Sequence, residues 1–293
     1  MSALAGTPVA GRAALWIYAA LALGFAVKIP VFPLHNWLPD AHTEAPAAGS
    51  VMLAGSMLKM GLFGFLRILL PVFPDLSAAA LPLLGGLGVV NILYGAFCAM
   101  AQSDLKRLVA FTSVSHLGFC LVGIFSLTAA GIAGGSLQMI NHGLSTGGLF
   151  LLVGMLYERA HRRGIQDFGG LASRTPAFAF FFGFILLSSI GLPGLNGFVG
   201  ETMALAGMAK VSPLMSALGL LGAVLAAAYG LPAFQAVFWA PEGPGSVSAG
   251  LDDLDMRERA ILWSLVALIL WLGLYPQPML NLMEPATAAL ARR

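Results

Sequence analysis

Residues 12–38 read RAALWIYAALALGFAVKIPVFPLHNWL. Nothing between Ala13 and Val27 is charged; then come Lys28 and two prolines, Pro30 and Pro33. A membrane span needs about 20 apolar residues. Proline removes a backbone donor and breaks a helix. The stretch therefore reads as a membrane helix broken just after a lysine. A basic start before an apolar run is also how a signal peptide opens. Here the run continues past Lys28 into a patterned segment with no cleavage site between, so it is read as the first span.

Working outward, the whole chain has this character. Of 293 residues, 58% are hydrophobic and 10% charged, against about 25% charged in a soluble domain. The expected fold is an all-α polytopic membrane protein. The net charge of +2 comes from scattered basic residues, which gives no footprint for nucleic acid. Cys98 and Cys120 lie in apolar runs without a CxxC or a His/Cys cluster, so they read as inert buried thiols rather than a disulfide or metal site. No glycine pattern suits a dinucleotide, and no cysteine set suits an iron–sulfur cluster. No cofactor or metal is expected in this chain.

Eight spans are expected, near 12–38, 47–70, 78–102, 106–126, 129–157, 176–209, 212–239 and 260–283. The sixth is also interrupted, by Gly191-Leu-Pro193-Gly194-Leu-Asn196-Gly197. Gly/Pro breaks are tolerated in a membrane only where protein or water satisfies the freed backbone, and a pair of them points to a transport site. Spans three to seven form a five-helix set whose fourth member is broken. Spans one and two then match the fourth and fifth helices of an earlier set. This divides a single domain into 1–70, 78–240 and 241–293. Basic residues fall eight to one side of the membrane (Lys106, Arg107, Arg159, Arg162, Arg163, Arg174, Arg257, Arg259) and five to the other (Arg12, Arg67, Lys210, Arg292, Arg293). The richer side is expected to be cytoplasmic, with both termini outside.

Five titratable residues lie at apparent membrane depth: Lys28, Lys59, His116, His142 and Glu201. A charge at the centre of a span costs about 3 kcal/mol on insertion scales. Such groups face a protein interior or a wet path. A lone histidine in a membrane helix is often a satisfied structural group, but two histidines with two lysines and a glutamate make a titratable chain, and imidazole relays protons near neutrality. Ser113, Ser115, Asn141, Ser145 and Thr146 can hold bridging waters or serve packing. His35, Asp40, His42 and Glu44 crowd the first loop and read as a solvated or interface cluster rather than a metal site.

The same residues carry a family likeness. Lys28-Ile-Pro30-x-x-Pro-Leu-His35-x-Trp37-Leu-Pro39-Asp40-Ala-His42-x-Glu44 and Gly55-Ser-Met-Leu-Lys59-Met-Gly61 resemble signatures of the antiporter-like subunits of respiratory complex I. Asp104-Leu-Lys106-Arg107, Ser113-x-Ser-His116 and Asn141-His142-Gly143 do as well. Glu201, eight residues after Pro193, resembles the M-type branch; sister branches typically place a lysine there. The resemblance implies a proton-translocating membrane-arm subunit of NADH–quinone oxidoreductase in a bacterial plasma membrane. Lys28, Lys59, His116, His142 and Glu201 would be relay groups, with His35, Pro30 and Pro193 in support. NADH, flavin, iron–sulfur clusters and quinone would belong to partner subunits, and L- and N-type subunits would be neighbours. Members have about fourteen helices. The expectation is therefore that further N-terminal helices, with the glutamate that pairs with Lys28, come from a separate polypeptide or an upstream start, or are absent in a degenerate fragment. Two other readings stay open: a subunit of a sodium/proton antiporter or membrane-bound hydrogenase, and a non-conducting structural fragment.

Overall fold

Prolines and capping side chains set where the helices begin in this structure, a computed structural model describing residues 11–243, 246–248 and 250–291. Pro74, Pro176 and Pro213 open their helices, where a missing N–H is no loss. Asp104 accepts from the backbone N–H groups of Lys106 (2.8 Å) and Arg107 (2.9 Å). Thr128 accepts from Gly131 N–H at 3.1 Å, and Asp255 with Glu258 forms a capping box. Each cap satisfies donors that a helix start leaves open.

The helices are α1 (Gly11–Lys28), α2 (Trp37–Glu44), α3 (Ala47–Val72), α4 (Pro74–Met100), α5 (Leu105–Phe125) and α6 (Ala129–Ala160). After the connection 161–175, which holds a 3-10 turn (Ile165–Asp167) and a four-residue helix (Leu171–Arg174), follow α7 (Pro176–Ser189), α8 (Asn196–Ala209), α9 (Pro213–Phe238), α10 (Met256–Leu274) and α11 (Gln277–Ala291). Among the described residues no β-strand forms, so the all-α membrane expectation holds. Among the described residues six helices, α1, α3, α4, α5, α6 and α9, are long and apolar enough to cross a membrane, and the bent pair α10–α11 makes a seventh if it is one span. The remaining expected span is α7 with α8, two helices of 14 residues each, broken where expected.

Two boundaries differ from the sequence reading. The first span, expected over 12–38, stops at Lys28 and resumes only as the eight-residue α2. Pro30 and Pro33 deny the donors that would carry it on. The last span, expected over 260–283, ends at Leu274, and the chain then bends by 66° into α11. Pro276 disfavours helical backbone at Tyr275, which lies outside both helices. Arg292 and Arg293, counted in the charge asymmetry, lie outside the described residues.

Burial orders the bundle radially. α5 is buried along nearly all its length and α6 mostly so, while α1 and α9 turn most of their surface outward. Leu15, Trp16 and Leu23 on α1 and Leu214, Leu220 and Val224 on α9 are exposed. The basic loops gather at one end of the bundle. There Asp104 bridges Gly164, Arg163 Nε lies 3.3 Å from Asp104 Oδ2, and Arg159 Nη2 lies 2.6 Å from Glu258 Oε2.

Candidate functional site

The buried helix α6 carries a polar stripe: Gln138, Asn141, His142, Ser145 and Thr146. These positions share one face at helical spacing, and all are at most 2% exposed. Side chains from α3, α5, α7 and α8 meet this stripe.

Lys59 approaches from α3, two residues after a π-helical segment, Leu53–Met57. A π segment shifts the backbone hydrogen-bond pattern and is frequent at functional sites. Lys59 Nζ turns back to donate to the Ala54 carbonyl and lies 2.7 Å from His142 Nδ1. Written as an ammonium, it donates to that nitrogen and leaves the His142 proton on Nε2. Lys59 is 8% exposed, a depth at which a charge persists only with partners.

Glu201 approaches from α8 and is 3% exposed. Its Oε1 lies 2.9 Å from His116 Nδ1 and accepts from Gln138 Nε2 at 2.9 Å. The break before α8 makes room for it. Gly191 sits at φ +77°, and a Cβ there would lie 3.2 Å from Glu201 Oε2; glycine alone adopts this backbone freely. The break is held by side chains: Asn141 Nδ2 donates to the Asn196 carbonyl at 2.7 Å, and Ser188 Oγ donates to Asn196 Oδ1 at 2.5 Å. His116, on α5, has its Nε2 3.2 Å from both Ser189 Oγ and Tyr229 Oη.

The two pairs, Lys59–His142 and His116–Glu201, face each other. The imidazole centroids are 6.1 Å apart at 62°, too far for a direct hydrogen bond. Between them is a cavity of about 10 Å³ lined by both histidines, Gln138, Asn141, Ser145, Thr146, Ser188, Ser189 and Gly197. That is room for about one water. His142 Nε2, Asn141 Oδ1 and Thr146 Oγ1 are buried without a partner among the described residues, and they supply the polar contacts such a water needs.

Of the expected relay residues, four converge here and Lys28 does not. Lys28 ends α1, half-buried, with no hydrogen bond or ion pair recorded among the described residues. The break beyond it is held by Asn91, whose Nδ2 donates to the Pro30 carbonyl (3.2 Å) and whose Oδ1 accepts from Phe32 N–H (2.7 Å). Pro193 is exposed within the second break and acts by interrupting the helix. The first-loop cluster is not uniformly solvated, a correction to the sequence reading. Asp40 and Glu44 are exposed, but His35 and His42 are buried. His35 stacks on Phe32 and meets the edge of Tyr94, at 5.7 and 5.0 Å, while His42 stacks on Phe150 at 4.2 Å. Rings take an imidazole out of water without offering it a hydrogen bond. Ser113 and Ser115 prove to be packing residues, donating to the carbonyls of Val109 and Ile92. Gln138, Ser188, Ser189, Asn196, Tyr229 and Asn91 were missed. The α6 spacing could have found Gln138, four residues before His142; Tyr229 has no local signal.

A sequence model for a family described as "NADH:quinone oxidoreductase/Mrp antiporter, TM" matches residues 3–227. The chain belongs to that family. It is 43% identical over 281 residues to NADH-quinone oxidoreductase subunit M of Escherichia coli K12, covering 95% of this chain and 55% of that protein. Against subunit M of Pseudomonas aeruginosa it is 45% identical over 260 residues, covering 89% and 50%. These names bear out the M-type resemblance drawn from Glu201. The chain spans about half the length of these curated relatives. A chain of respiratory complex I from Thermus thermophilus with bound NADH superposes with TM-score 0.92 at 39% identity, covering 98% of this chain and 61% of that one. A chain of the Mrp complex from Dietzia, at 22% identity and TM-score 0.86, covers 94% and 59% and shares the fold.

Proposed function

We propose that this chain is a proton-translocating, M-type membrane-arm subunit of an NADH–quinone oxidoreductase. The observation that carries the reading is the pair of buried acid–base contacts, Lys59–His142 at 2.7 Å and His116–Glu201 at 2.9 Å, opposed across one polar cavity. A proton given by Lys59 enters His142 at Nδ1, and the imidazole releases its other proton from Nε2 to a cavity water. From there a proton reaches His116 Nε2, and the Nδ1 proton passes to Glu201. Each imidazole takes a proton on one nitrogen and gives one from the other, which is how histidine relays without moving far. Gln138, an amide donor on Glu201 Oε1, holds the carboxylate toward His116.

Redox chemistry elsewhere would drive the axis, with NADH, flavin, iron–sulfur clusters and quinone in partner subunits and L- and N-type subunits as membrane neighbours. The family's repeat architecture favours an inverted relation between the five-span unit α4–α9 and helices including α1–α3. The subunit would sit in a bacterial plasma membrane with its Lys106–Arg163 end cytoplasmic and its termini outside. Lys28 would extend the relay toward a neighbouring carboxylate.

The test is NADH-driven proton uptake by the assembled complex in proteoliposomes. Lys59→Ala and Glu201→Gln should each reduce it to about a tenth or less, as loss of a proton-transfer group does. Wild-type uptake by either variant, at normal subunit content, would refute the assignment.

A further inference from the structure

His116 Nε2 has two hydroxyl neighbours where a simple relay needs one. Ser189 lines the polar cavity facing His142. Ser189 and Tyr229 both also line a second cavity of about 10 Å³, set between α5, α7 and α9 and otherwise almost wholly apolar. Its other walls include Leu105, Leu108, Thr112 and Ala233. Thr112 spends its hydroxyl on the Val109 carbonyl at 2.8 Å, so the free hydroxyl chemistry of this cavity lies at the His116 end. The opposite wall, Leu105, is the first residue of α5. It adjoins Lys106, and its N–H donates to the Arg163 carbonyl at 2.9 Å. From Leu105 to His116 along α5 is about 16 Å at 1.5 Å per residue. The second cavity thus points from the relay toward the basic end of the bundle.

We propose that Tyr229 and Ser189 form a proton exchange port between His116 Nε2 and the Lys106–Arg163 end of the bundle, with the α5/α7/α9 cavity as its gate. The inference rests on the proton-relay reading above and adds where the relay opens. In the step, imidazolium gives its Nε2 proton to a hydroxyl oxygen while that hydroxyl's own proton passes to a water in the cavity. The imidazole ends neutral, the hydroxyl unchanged and the water as hydronium; the reverse step loads the relay. An apolar cavity this small stays dry. A dry constriction closes a path by dewetting, so the port conducts only when water enters between Leu108 and Ala233.

The experiment uses the assembled complex in proteoliposomes, with NADH-driven proton uptake and quinone reduction normalised to subunit content. The Tyr229→Phe/Ser189→Ala double variant removes both hydroxyls. Ala233→Met removes none and fills the cavity. Both should lower coupled turnover to about a tenth or less, the scale of a lost proton-transfer group, and Ser189→Thr on the Tyr229→Phe background should restore most of it. The port is overturned if Ala233→Met turns over like wild type. A loss confined to the double variant would mean the hydroxyls only orient His116. If the double variant does not assemble, Ala233→Met decides by the same threshold. Failure of the port and failure of the relay are distinguishable. If Glu201→Gln abolishes uptake while Ala233→Met preserves it, the relay stands and the port falls.

Discussion

Gly200 packs its backbone against α6 beside Gln138 and Asn141, so Gly200→Ala is a one-methyl change that should disable the site. A Cβ at Gly200 would collide with Gln138 Oε1, lie 2.8 Å from Asn141 Nδ2 and lie 3.0 Å from Gln138 Cα. The last contact matters most, because a side-chain tip can swing aside and a helix backbone cannot. Reaching an ordinary carbon–carbon separation requires α6 and α8 to part by about 0.5–1 Å. The Gln138–Glu201 bond of 2.9 Å then stretches past about 3.5 Å, where it no longer counts as a hydrogen bond. Overpacking of this size costs about 1–3 kcal/mol, less than the stability of a folded domain, so the bundle should still assemble. The relay tolerates less, since a misplacement of about 1 Å can cost a hundredfold in rate. We expect Gly200→Ala to assemble at near-normal subunit content while NADH-driven proton uptake falls by one to two orders of magnitude.

The control is Gly147→Ala, on α6 one residue beyond Thr146, where a Cβ meets nothing within 4 Å. It should keep uptake within about twofold of wild type. The assay is dye-quench proton uptake in inverted membranes, with subunit content read by immunoblot. If Gly200→Ala in an assembled complex pumps as Gly147→Ala does, close α6–α8 contact is not what sets the Glu201 geometry, and the reasoning fails.

Three further outcomes follow from the contacts. Asn91→Leu leaves the Pro30 carbonyl and Phe32 N–H without their side-chain partner, at about 1–3 kcal/mol for each group, and should lower the temperature at which the complex dissociates on native gels; an unchanged midpoint would contradict the role given to Asn91. Asp40→Asn removes the negative charge paired with Arg107 at 2.9 Å, but the Asp40 side chain is 70% exposed, so the change should be below about 1 kcal/mol and invisible in the same measurement. Cys120 is fully buried on α5, and should resist maleimide labelling in the native complex and react after denaturation; native labelling would show α5 to be more open than described.

The fold was legible where a local rule decides it. Asp104, Thr128 and the opening prolines mark helix starts, and the apolar runs between them have membrane length. The α10 end was misread although Pro276 stood in the sequence, because the surrounding apolar residues carried the expected span across it. The site was legible residue by residue, since a lysine, a glutamate and two histidines stand out in apolar helices. Their pairing was not. Lys59 and His142 are 83 residues apart and His116 and Glu201 85 apart, and no local period links them. Tyr229 stayed hidden for a related reason: a tyrosine in an apolar helix is unremarkable until its hydroxyl is seen beside His116.

The placement of these groups has a physical logic. Both histidines sit on regular, buried helices, α5 and α6. Both charged partners sit beside distortions, Lys59 after the π segment at 53–57 and Glu201 after the break at 190–195. Regular helices fix the imidazole separation, which a one-water gap requires within a few tenths of an ångström. The π segment has a backbone group to spare, since Ala54 accepts from Lys59, and the break at 190–195 leaves Gly191 beside Glu201 Oε2 with no side chain in the way. A buried charge needs such extra partners to persist, and an uninterrupted helix has already used its carbonyls on itself. The π segment therefore does for Lys59 part of what water does for a charge at the surface, the break gives Glu201 its space while His116 and Gln138 supply its partners, and the straight helices hold the histidines as the fixed points between them.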